Sequence, residues 1–281
     1  MRQTSPVHAR SALFDVYGDY LPSRDDRAPV AALVRLLATL GIAAPAVRTA
    51  ISRMVRQGWL EPVRLQEGPG YASTARARQR LADAASRIYR TTSPRWDGAW
   101  DLLVLDPGPL KGGRAARERV RSGLTFLGYA PLSDTTWISP APSAEVDEVL
   151  VAEGSGLTRF RAQDPTPAAQ AARAWDLEAL AASYDEWYSF AMQLVEDPRP
   201  WLGGREPRGD ERAFAVRSVL VHEWRKFLFS DPGLPDELLP RDWPGRRAAN
   251  LFADAAYRML PAASRFVDVC LSEPTHPRRE I

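Results

Sequence analysis

The chain has 281 residues, 37 of them basic and 35 acidic, and 45% are hydrophobic, which is ordinary for a soluble protein of about two or three domains. A single cysteine excludes an intramolecular disulfide framework, and three scattered histidines predict no metal site and no metal cofactor. The sequence contains no run of about 18 apolar residues, so no membrane span is predicted, and the N-terminus lacks the apolar core of a signal peptide. We therefore expect a cytoplasmic protein with no membrane contact.

Charge is unevenly distributed along the chain. Residues 1–92 contain 14 basic and 7 acidic residues, a net charge of +7, whereas residues 93–281 have a net charge of −5. Only Lys111 and Lys226 are lysines, so composition explains why the basic residues are arginines. It does not explain why acids are scarce at one end. A basic front end on an acidic body is typical of a DNA-binding module joined to a body with another role.

The stretch APAVRTAISRMVRQGWLEP, residues 44–62, predicts a helix with two distinct faces when each residue is placed 100° after the last. The apolar arc consists of Val47, Ala50, Ile51, Met54 and Val55. The opposite arc consists of Arg48, Thr49, Ser52, Arg53 and Arg56. This polar arc contains no acid, and its mixture of guanidinium and hydroxyl groups suits phosphate contact and base reading in a major groove. Pro45 fits the first helical turn, and Gly58 fits the position just past the last.

The surrounding segments predict a winged helix-turn-helix. Two helices are predicted upstream, in HARSALFDVYGDYL and VAALVRLLATLGI, the second joined to the basic helix by a turn at Gly41. Downstream, WLEPVRL and YAST alternate like strands on either side of a wing tip at Gln66 to Gly70. A further basic helix is predicted in TARARQRLADAASRIYR.

A small α+β segment follows. Its predicted strands are WDLLVLD, TTWISP and GLTRFRAQ, and its predicted helices are RAARERVRSGLTFLGYA and SAEVDEVLVAEG. This alternation favours a ferredoxin-like fold, and the pattern becomes helical after it. We therefore predict a multidomain α+β chain: a winged helix-turn-helix domain with its following basic helix at residues 1–92, a ferredoxin-like domain at 93–165 and a helical C-terminal domain at 166–281, with a linker near 91–96.

Several long motifs resemble those of the PaaX family, the repressors of phenylacetate-degradation operons. These motifs are RWDGAWDLLVLD, LGYAPLSDTTWISP, VHEWRKFLFSDPGLPDELLPRDWPG and, in the front segment, FDVYGDYL with VRTAISRMVRQGWLEP. The resemblance covers residues 10–270. It implies a homodimeric bacterial repressor that leaves its operator, an inverted repeat in double-stranded DNA, when an aromatic acyl-CoA binds, typically phenylacetyl-CoA. We expect the middle domain to help form the dimer.

The resemblance places DNA contacts on the matching recognition helix. We expect base contacts from Arg48, Thr49, Ser52 and Arg53, a phosphate contact from Arg56, and contacts to the backbone or minor groove from Arg64 and Tyr71 beside the wing. An acyl-CoA effector needs cations for its phosphates and an aromatic-lined slot. The candidate effector-binding residues are Arg217, His222, Trp224, Arg225 and, from the middle domain, Trp137. The alternative that these aromatic residues form core and interdomain packing stays open.

No catalytic residue is predicted. HEWRK has Lys226 where a zinc protease needs its second histidine, and Ser139 and Ser155 lack the Gly-x-Ser-x-Gly turn. One alternative is a metal-dependent nuclease, because the middle domain resembles small CRISPR-associated dimeric nucleases that place an aspartate after the first strand, where Asp106 stands. Another is a ligand-independent DNA-binding protein or activator, which would share the same DNA-binding half.

Overall fold

The computed structural model describes residues 7–89, 95–106 and 112–272, and the chain there is a mixture of helices and strands. These residues form two compact units that are not continuous in sequence. The first unit takes the described residues within 1–90, 186–225 and 248–281, and the second takes those within 91–185 and 226–247. The division into domains at 1–92, 93–165 and 166–281 stays a prediction, and the linker predicted near 91–96 lies mostly outside the described residues.

The N-terminal part of the first unit contains four helices and three strands. They are α1 (Ala9–Asp19), β1 (Arg27–Pro29), α2 (Val30–Ala38), α3 (Ala44–Arg56), β2 (Leu60–Leu65), β3 (Gly68–Ser73) and α4 (Ala75–Ile88). The three strands form an antiparallel sheet in the order β1-β3-β2. All the elements predicted here are present, whereas β1 was not predicted, because three residues ending in proline carry no alternation to read.

The buried faces of α1, α2 and α3 form the core of this module. Leu33 and Leu37 of α2, Ile51 and Met54 of α3 and Leu13 of α1 are each at most 2% exposed. Burying such a side chain contributes about 1.5–3 kcal/mol. Helix α3 ends because Gly58 adopts a positive φ of 71°, a conformation that favours glycine.

The hairpin turn is tighter than the sequence predicted. We expected a turn over Gln66 to Gly70, but β3 begins at Gly68, so only Gln66 and Glu67 connect the strands. The physical reason is Gly70, which brings β3 close to β1: a Cβ atom there would lie 2.7 Å from the Ala28 carbonyl oxygen and 2.6 Å from Leu65 Cδ1. The backbone of β3 therefore fits between its neighbours only without a side chain at this position.

C-terminal helices complete the first unit. They come from α8 (Leu177–Glu196), α9 (Gly209–Trp224) and α11 (Pro244–Ser272), of which α8 and α11 continue into the second unit. Helix α9 is buried on most of its circumference from Phe214 to Trp224. Such a helix lies inside a protein rather than on its surface. Helix α9 is therefore the most enclosed part of these C-terminal helices.

The second unit is built on a four-stranded antiparallel sheet. Its elements include β4 (Trp100–Leu105), α5 (Gly113–Phe126), β5 (Ala130–Pro131), β6 (Thr136–Ser139), α6 (Val146–Glu153), β7 (Leu157–Ala162), α7 (Pro167–Ala174) and α10 (Phe227–Ser230). The strand order is β5-β6-β4-β7. Helices α5 and α6 cover one face, where Val120 and Leu150 pack with Leu103 and Trp137 of the sheet. The predicted alternation of strands and helices is present, with β5 as an additional strand.

Gly70→Ala tests the close approach inside the first sheet. We expect the free energy of unfolding to fall by about 1–3 kcal/mol, because the added methyl group meets the Ala28 carbonyl oxygen and the neighbouring strands must move apart. The measurement is urea unfolding followed by circular dichroism.

Gly18→Ala in α1 is the matched control. Its added Cβ meets Leu81 Cδ2 at 3.4 Å, an ordinary contact, and alanine favours a helix over glycine by about 0.5–1 kcal/mol. Stability should therefore stay equal or rise. An unchanged stability for Gly70→Ala would show that the sheet tolerates a side chain at this position.

Candidate nucleic-acid interface

Helix α3 separates its buried and exposed residues as its sequence predicted. Val47, Ala50, Ile51 and Met54 are buried against the module, and α3 packs on α1 and α2. The exposed residues are Arg48, Thr49, Ser52, Arg53 and Arg56. The structure thus brings together on one solvent-facing surface the five helix residues predicted to contact DNA.

The arginines of this surface have no partner within the described part of the chain. Arg48, Arg53 and Arg56 make no hydrogen bond or ion pair there, and the first turn of α3 carries no acid. The N-cap residue Ala43 gives no side-chain cap, Pro45 has no N–H group, and the N–H groups of Ala46 and Val47 donate to the Ala43 carbonyl oxygen. Uncompensated cations on one helix face favour an anionic partner.

The hairpin places its two predicted residues differently. Arg64 is exposed on β2, two residues before the turn, and lies opposite Pro69 of β3. Tyr71 lies on the central strand and is half-buried, and its carbonyl oxygen accepts a hydrogen bond from Tyr17 Oη at 2.9 Å. Arg64 is therefore near the tip of the hairpin, whereas Tyr71 is held in the middle of the sheet.

An arginine–aromatic stack that the sequence analysis missed closes the C-terminal end of α3. The Trp59 N–H donates to the Met54 carbonyl oxygen, and the Trp59 ring meets Phe14 of α1 edge-on at 5.2 Å. Arg76 of α4 lies 5.3 Å from the centroid of Trp59, and Arg10 lies 5.5 Å from that of Phe14. The stack joins α1, the end of α3 and α4, and no sequence pattern marks it as a whole because its members come from three separate segments.

Four of the five predicted effector-binding residues lie together on and just after α9, and they contact the N-terminal module. Arg217 is 3% exposed, and its Nη1 donates to Asp19 Oδ2 of α1 at 2.7 Å and to Tyr20 Oη at 3.0 Å. Its Nη2 donates to Tyr89 Oη at 2.8 Å, and its Nε donates to the Ala256 carbonyl oxygen at 3.0 Å. The guanidinium of Arg217 is thus engaged inside the protein on every side.

A second polar group lies further along the same helices. Arg225 forms an ion pair with Asp15 of α1, and His222 Nδ1 lies 3.1 Å from Asp15 Oδ2. Trp224 Nε1 donates to the Ile88 carbonyl oxygen at 3.0 Å, at the end of α4. These three residues of the C-terminal region therefore also face the N-terminal module.

Aromatic rings fill the space next to these polar groups. Trp224 stacks on Phe252 with ring centroids 4.6 Å apart and meets Trp187 edge-on at 4.7 Å, while Tyr89 stacks on the other side of this cluster, 5.8 Å from Phe252. Trp137 is not among them: it lies on β6 in the core of the second unit. The five effector-binding residues stay a prediction, and the structure groups only four of them.

Burial sets the ionisation of the polar groups around Arg217. Burial raises the pKa of Tyr20 to about 12, with the Asp19 carboxylate adding to this effect and the Arg217 guanidinium opposing it. Burial and the Asp19 carboxylate likewise hold the pKa of Tyr89 above its ordinary value. Burial disfavours the charge of Arg217, but its partners outweigh that cost and keep the pKa of Arg217 above its ordinary value. The arrangement thus joins a permanent cation to Asp19 and to two neutral hydroxyls.

Within 7–89, 95–106 and 112–272, no group of three His, Cys, Asp or Glu side chains is arranged to hold a metal ion. Asp106 is exposed after β4, its N–H donates to the Gly156 carbonyl oxygen, and its carboxylate lies against Gly156. None of the helices described is both long enough and apolar enough to span a bilayer.

These features define a modular α/β protein in which a basic N-terminal module rests on C-terminal helices. Three family models match successive parts of the chain: PaaX-like protein at residues 8–77, the PaaX protein central Cas2-like domain at 93–174, and the PaaX-like protein C-terminal domain at 175–269. The chain belongs to the PaaX family, and the resemblance read from its sequence motifs is confirmed.

Two similar proteins extend along most of the chain. It is 32% identical over 271 residues to the transcriptional repressor PaaX of Escherichia coli (strain K12), which covers 93% of this chain and 84% of that protein. It also resembles a solved structure, an uncharacterized protein from Mycobacterium tuberculosis, with a TM-score of 0.61 and 26% sequence identity, over 94% of this chain and 98% of the other. Similarity of this extent covers both the basic module and the C-terminal helices.

The raised tyrosine pKa values predict a loss of stability in alkali. Tyr20 titrates at about 10 in the unfolded chain and at about 12 in the folded protein, so its stabilising effect is complete below pH 10 and is lost as the pH rises towards 12. We expect the urea midpoint to fall between about pH 9 and about pH 11. Tyr20→Phe should make this fall smaller. A midpoint that is the same at both pH values would contradict the assignment.

Proposed function

We propose that this chain is a DNA-binding transcription repressor whose reading element is α3. One observation carries the proposal: one face of α3 is buried, while the opposite face presents arginines that no described residue neutralises. Duplex DNA supplies the anionic surface that such a face requires. The Escherichia coli relative is named a transcriptional repressor, and the similarity extends over most of both chains, which supports the same role here.

In this proposal α1, α2 and α3 with the β2–β3 hairpin act as a winged helix-turn-helix. Arg48 to Arg56 rise about 12 Å along the helix axis, a length comparable to the width of a major groove. Arg48, Thr49, Ser52 and Arg53 read base edges, and Arg56 contacts phosphate. Arg64, near the hairpin tip, reaches the flanking backbone or minor groove, and Tyr71 contributes the exposed part of its ring.

We further propose a homodimer that reads an inverted repeat. The second unit has the β-α-β-β-α-β order of a ferredoxin-like fold, which is the proposed dimerisation module. Among the described strands, β7 is hydrogen-bonded only to β4, and Phe160 on it is 50% exposed. An open edge with an exposed aromatic side chain supports pairing with a second copy. Two-fold symmetry in the protein then requires two-fold symmetry in the operator.

The proposed effector is an aromatic acyl-CoA, typically phenylacetyl-CoA, on the strength of the family resemblance. Helix α9 is where we propose it acts, because His222, Trp224 and Arg225 follow Arg217 there and are packed on the N-terminal module. Release from DNA requires that the effector bind the released conformation more tightly; a difference of about 100-fold supplies about 2.7 kcal/mol.

Arg48→Ala and Arg53→Ala test the reading helix. Each is expected to lose about 1–3 kcal/mol of specific binding and to relax base preference at one position, whereas Arg56→Ala should weaken binding to all sequences alike. The measurement is fluorescence anisotropy at one salt concentration, with DNA from the region upstream of the chain's own gene. Arg258→Ala, which removes an exposed arginine paired with Asp254 on α11, is the control.

The same titration, repeated with phenylacetyl-CoA and with free phenylacetate, tests the effector. Loss of specific binding with the thioester alone supports an acyl-CoA-responsive repressor. Specific binding that ignores both compounds would reject this effector. Unchanged affinity after removal of both Arg48 and Arg53 would exclude α3 as the reading element.

We propose no nuclease activity for the central domain, although it is Cas2-like. Asp106 alone stands where a catalytic aspartate is expected, and the described residues assemble no metal-binding group around it. The expected result is no cleavage of single- or double-stranded nucleic acid with Mg²⁺ or Mn²⁺. Cleavage by the unaltered protein that Asp106→Ala abolishes would instead make the central domain a metal-dependent nuclease.

A further inference from the structure

Two buried ion pairs join the first helix of the basic module to α9. Asp15 pairs with Arg225, and Asp19 pairs with Arg217 at 2.7 Å. The aspartates are four residues apart, so they share a face of α1, and the arginines are eight residues apart, about two turns along α9. The earlier aspartate pairs with the later arginine, and the later aspartate pairs with the earlier arginine. The two helices therefore run in opposite directions where they meet, and one placement of α1 against α9 makes both pairs. We call Asp15, Asp19, Arg217 and Arg225 the α1–α9 anchor.

Three of the four charged side chains of the anchor lie away from water, and that of Arg225 is 25% exposed. The side chains of Arg217 and Asp19 are 4% and 7% exposed, and the side chain of Asp15 is also 7% exposed. Removing such charges from water is costly, and their attraction repays that cost only when the geometry is good. Apolar side chains of similar size stabilise a helix contact equally well or better. The distinctive effect of the anchor is therefore to fix one register between α1 and α9, since each carboxylate must meet its own guanidinium.

Helix α1 connects α9 to α3 and to the β2–β3 hairpin, the elements proposed to contact DNA. It packs on α2, α3 and α4 as well as on α9. Tyr17, between the two aspartates in sequence, donates its hydroxyl to the Tyr71 carbonyl oxygen of the hairpin, and Phe14 meets Trp59 at the end of α3. A shift of α9 relative to α1 therefore either breaks buried ion pairs or moves α3 and the hairpin.

We propose that Asp15 and Asp19 are positioning residues through which α9 sets the orientation of α1 and, with it, the affinity of α3 for DNA. This inference rests on the proposed DNA-reading function of α3. A ligand bound at the C-terminal helices alters DNA binding by changing the energy of the anchor, without touching α3. The paired state described here is the DNA-binding state, and rupture of either pair weakens specific binding.

The test separates register from stability. Arg225→Met leaves buried Asp15 with His222 but without its guanidinium, so we expect a lower thermal midpoint and weaker operator binding. The double variant Asp15→Leu with Arg225→Met removes both charges and should recover the thermal midpoint, while specific DNA affinity stays at least about tenfold below that of the unaltered protein, within the usual range of coupling between sites. Arg225→Lys keeps a cation beside Asp15 and should retain most of the affinity.

Arg265→Met is the matched control. Arg265 of α11 pairs with Asp210 of α9 at 2.7 Å, but both side chains are exposed and neither contacts α1. The same substitution there should leave both the thermal midpoint and DNA affinity unchanged. Anisotropy with upstream DNA and thermal unfolding are measured for all variants.

The outcomes distinguish the two proposals. If the unaltered protein binds its upstream DNA specifically and the double variant binds equally well, the anchor contributes only stability, and the positioning role is wrong while the DNA-reading function stands. If the double variant remains folded and binds at least tenfold more weakly, the positioning role is supported. If the unaltered protein shows no specific binding, the proposed function itself fails, and the inference fails with it.

Discussion

Neutralisation of two buried carboxylates on α1 is the constraint on which the first unit depends. Asp15 lies 207 residues before His222, which contacts it together with Arg225, and Asp19 lies 198 residues before Arg217. A carboxylate buried without a partner is strongly unfavourable, so α1 reaches its final position only when α9 is beside it. The exposed face of α3 needs no such partner, because its arginines face water. The structure thus places the same residue type in opposite settings: arginines on α3 that face water, and Arg217 on α9, whose guanidinium is engaged inside the protein.

The buried and exposed faces of α3 were predictable from the sequence because a helical period of 3.6 residues is a local property. Val47, Ala50, Ile51 and Met54 repeat with that period, and the structure buries all four. Strands of six residues and helices of more than ten were predictable for a similar reason: each repeats its own local period often enough for the pattern to be visible in the sequence. The short strands β1 and β5, of three and two residues, are held by partners distant in sequence and carry no pattern of their own.

The residues of α9 show that the role of a local pattern depends on the distant segments that pack on it. Cations and aromatic rings close together on one helix suggest a site for an anionic aromatic ligand, and Arg217, His222, Trp224 and Arg225 were predicted on that basis. In the structure the same chemistry meets Asp15, Asp19 and the aromatic residues of the protein itself. A sequence does not distinguish an internal carboxylate from an external one, because the difference lies in which distant segment packs on the helix. The tight turn at Gln66 and Glu67 likewise follows from Gly70 meeting β1, a contact between separate segments.

The interleaved composition of the first unit has a consequence during synthesis. The ribosome completes the basic module early, yet the helices that neutralise α1 emerge only after the whole central domain, and α11 emerges last. A nascent chain that stops short of α9 carries α1 with both aspartates unpaired, so its N-terminal segment lacks the contacts that hold α1 in the finished protein. Truncated translation products are thus poorly equipped to occupy DNA, and only a chain made nearly to its end acquires the complete unit.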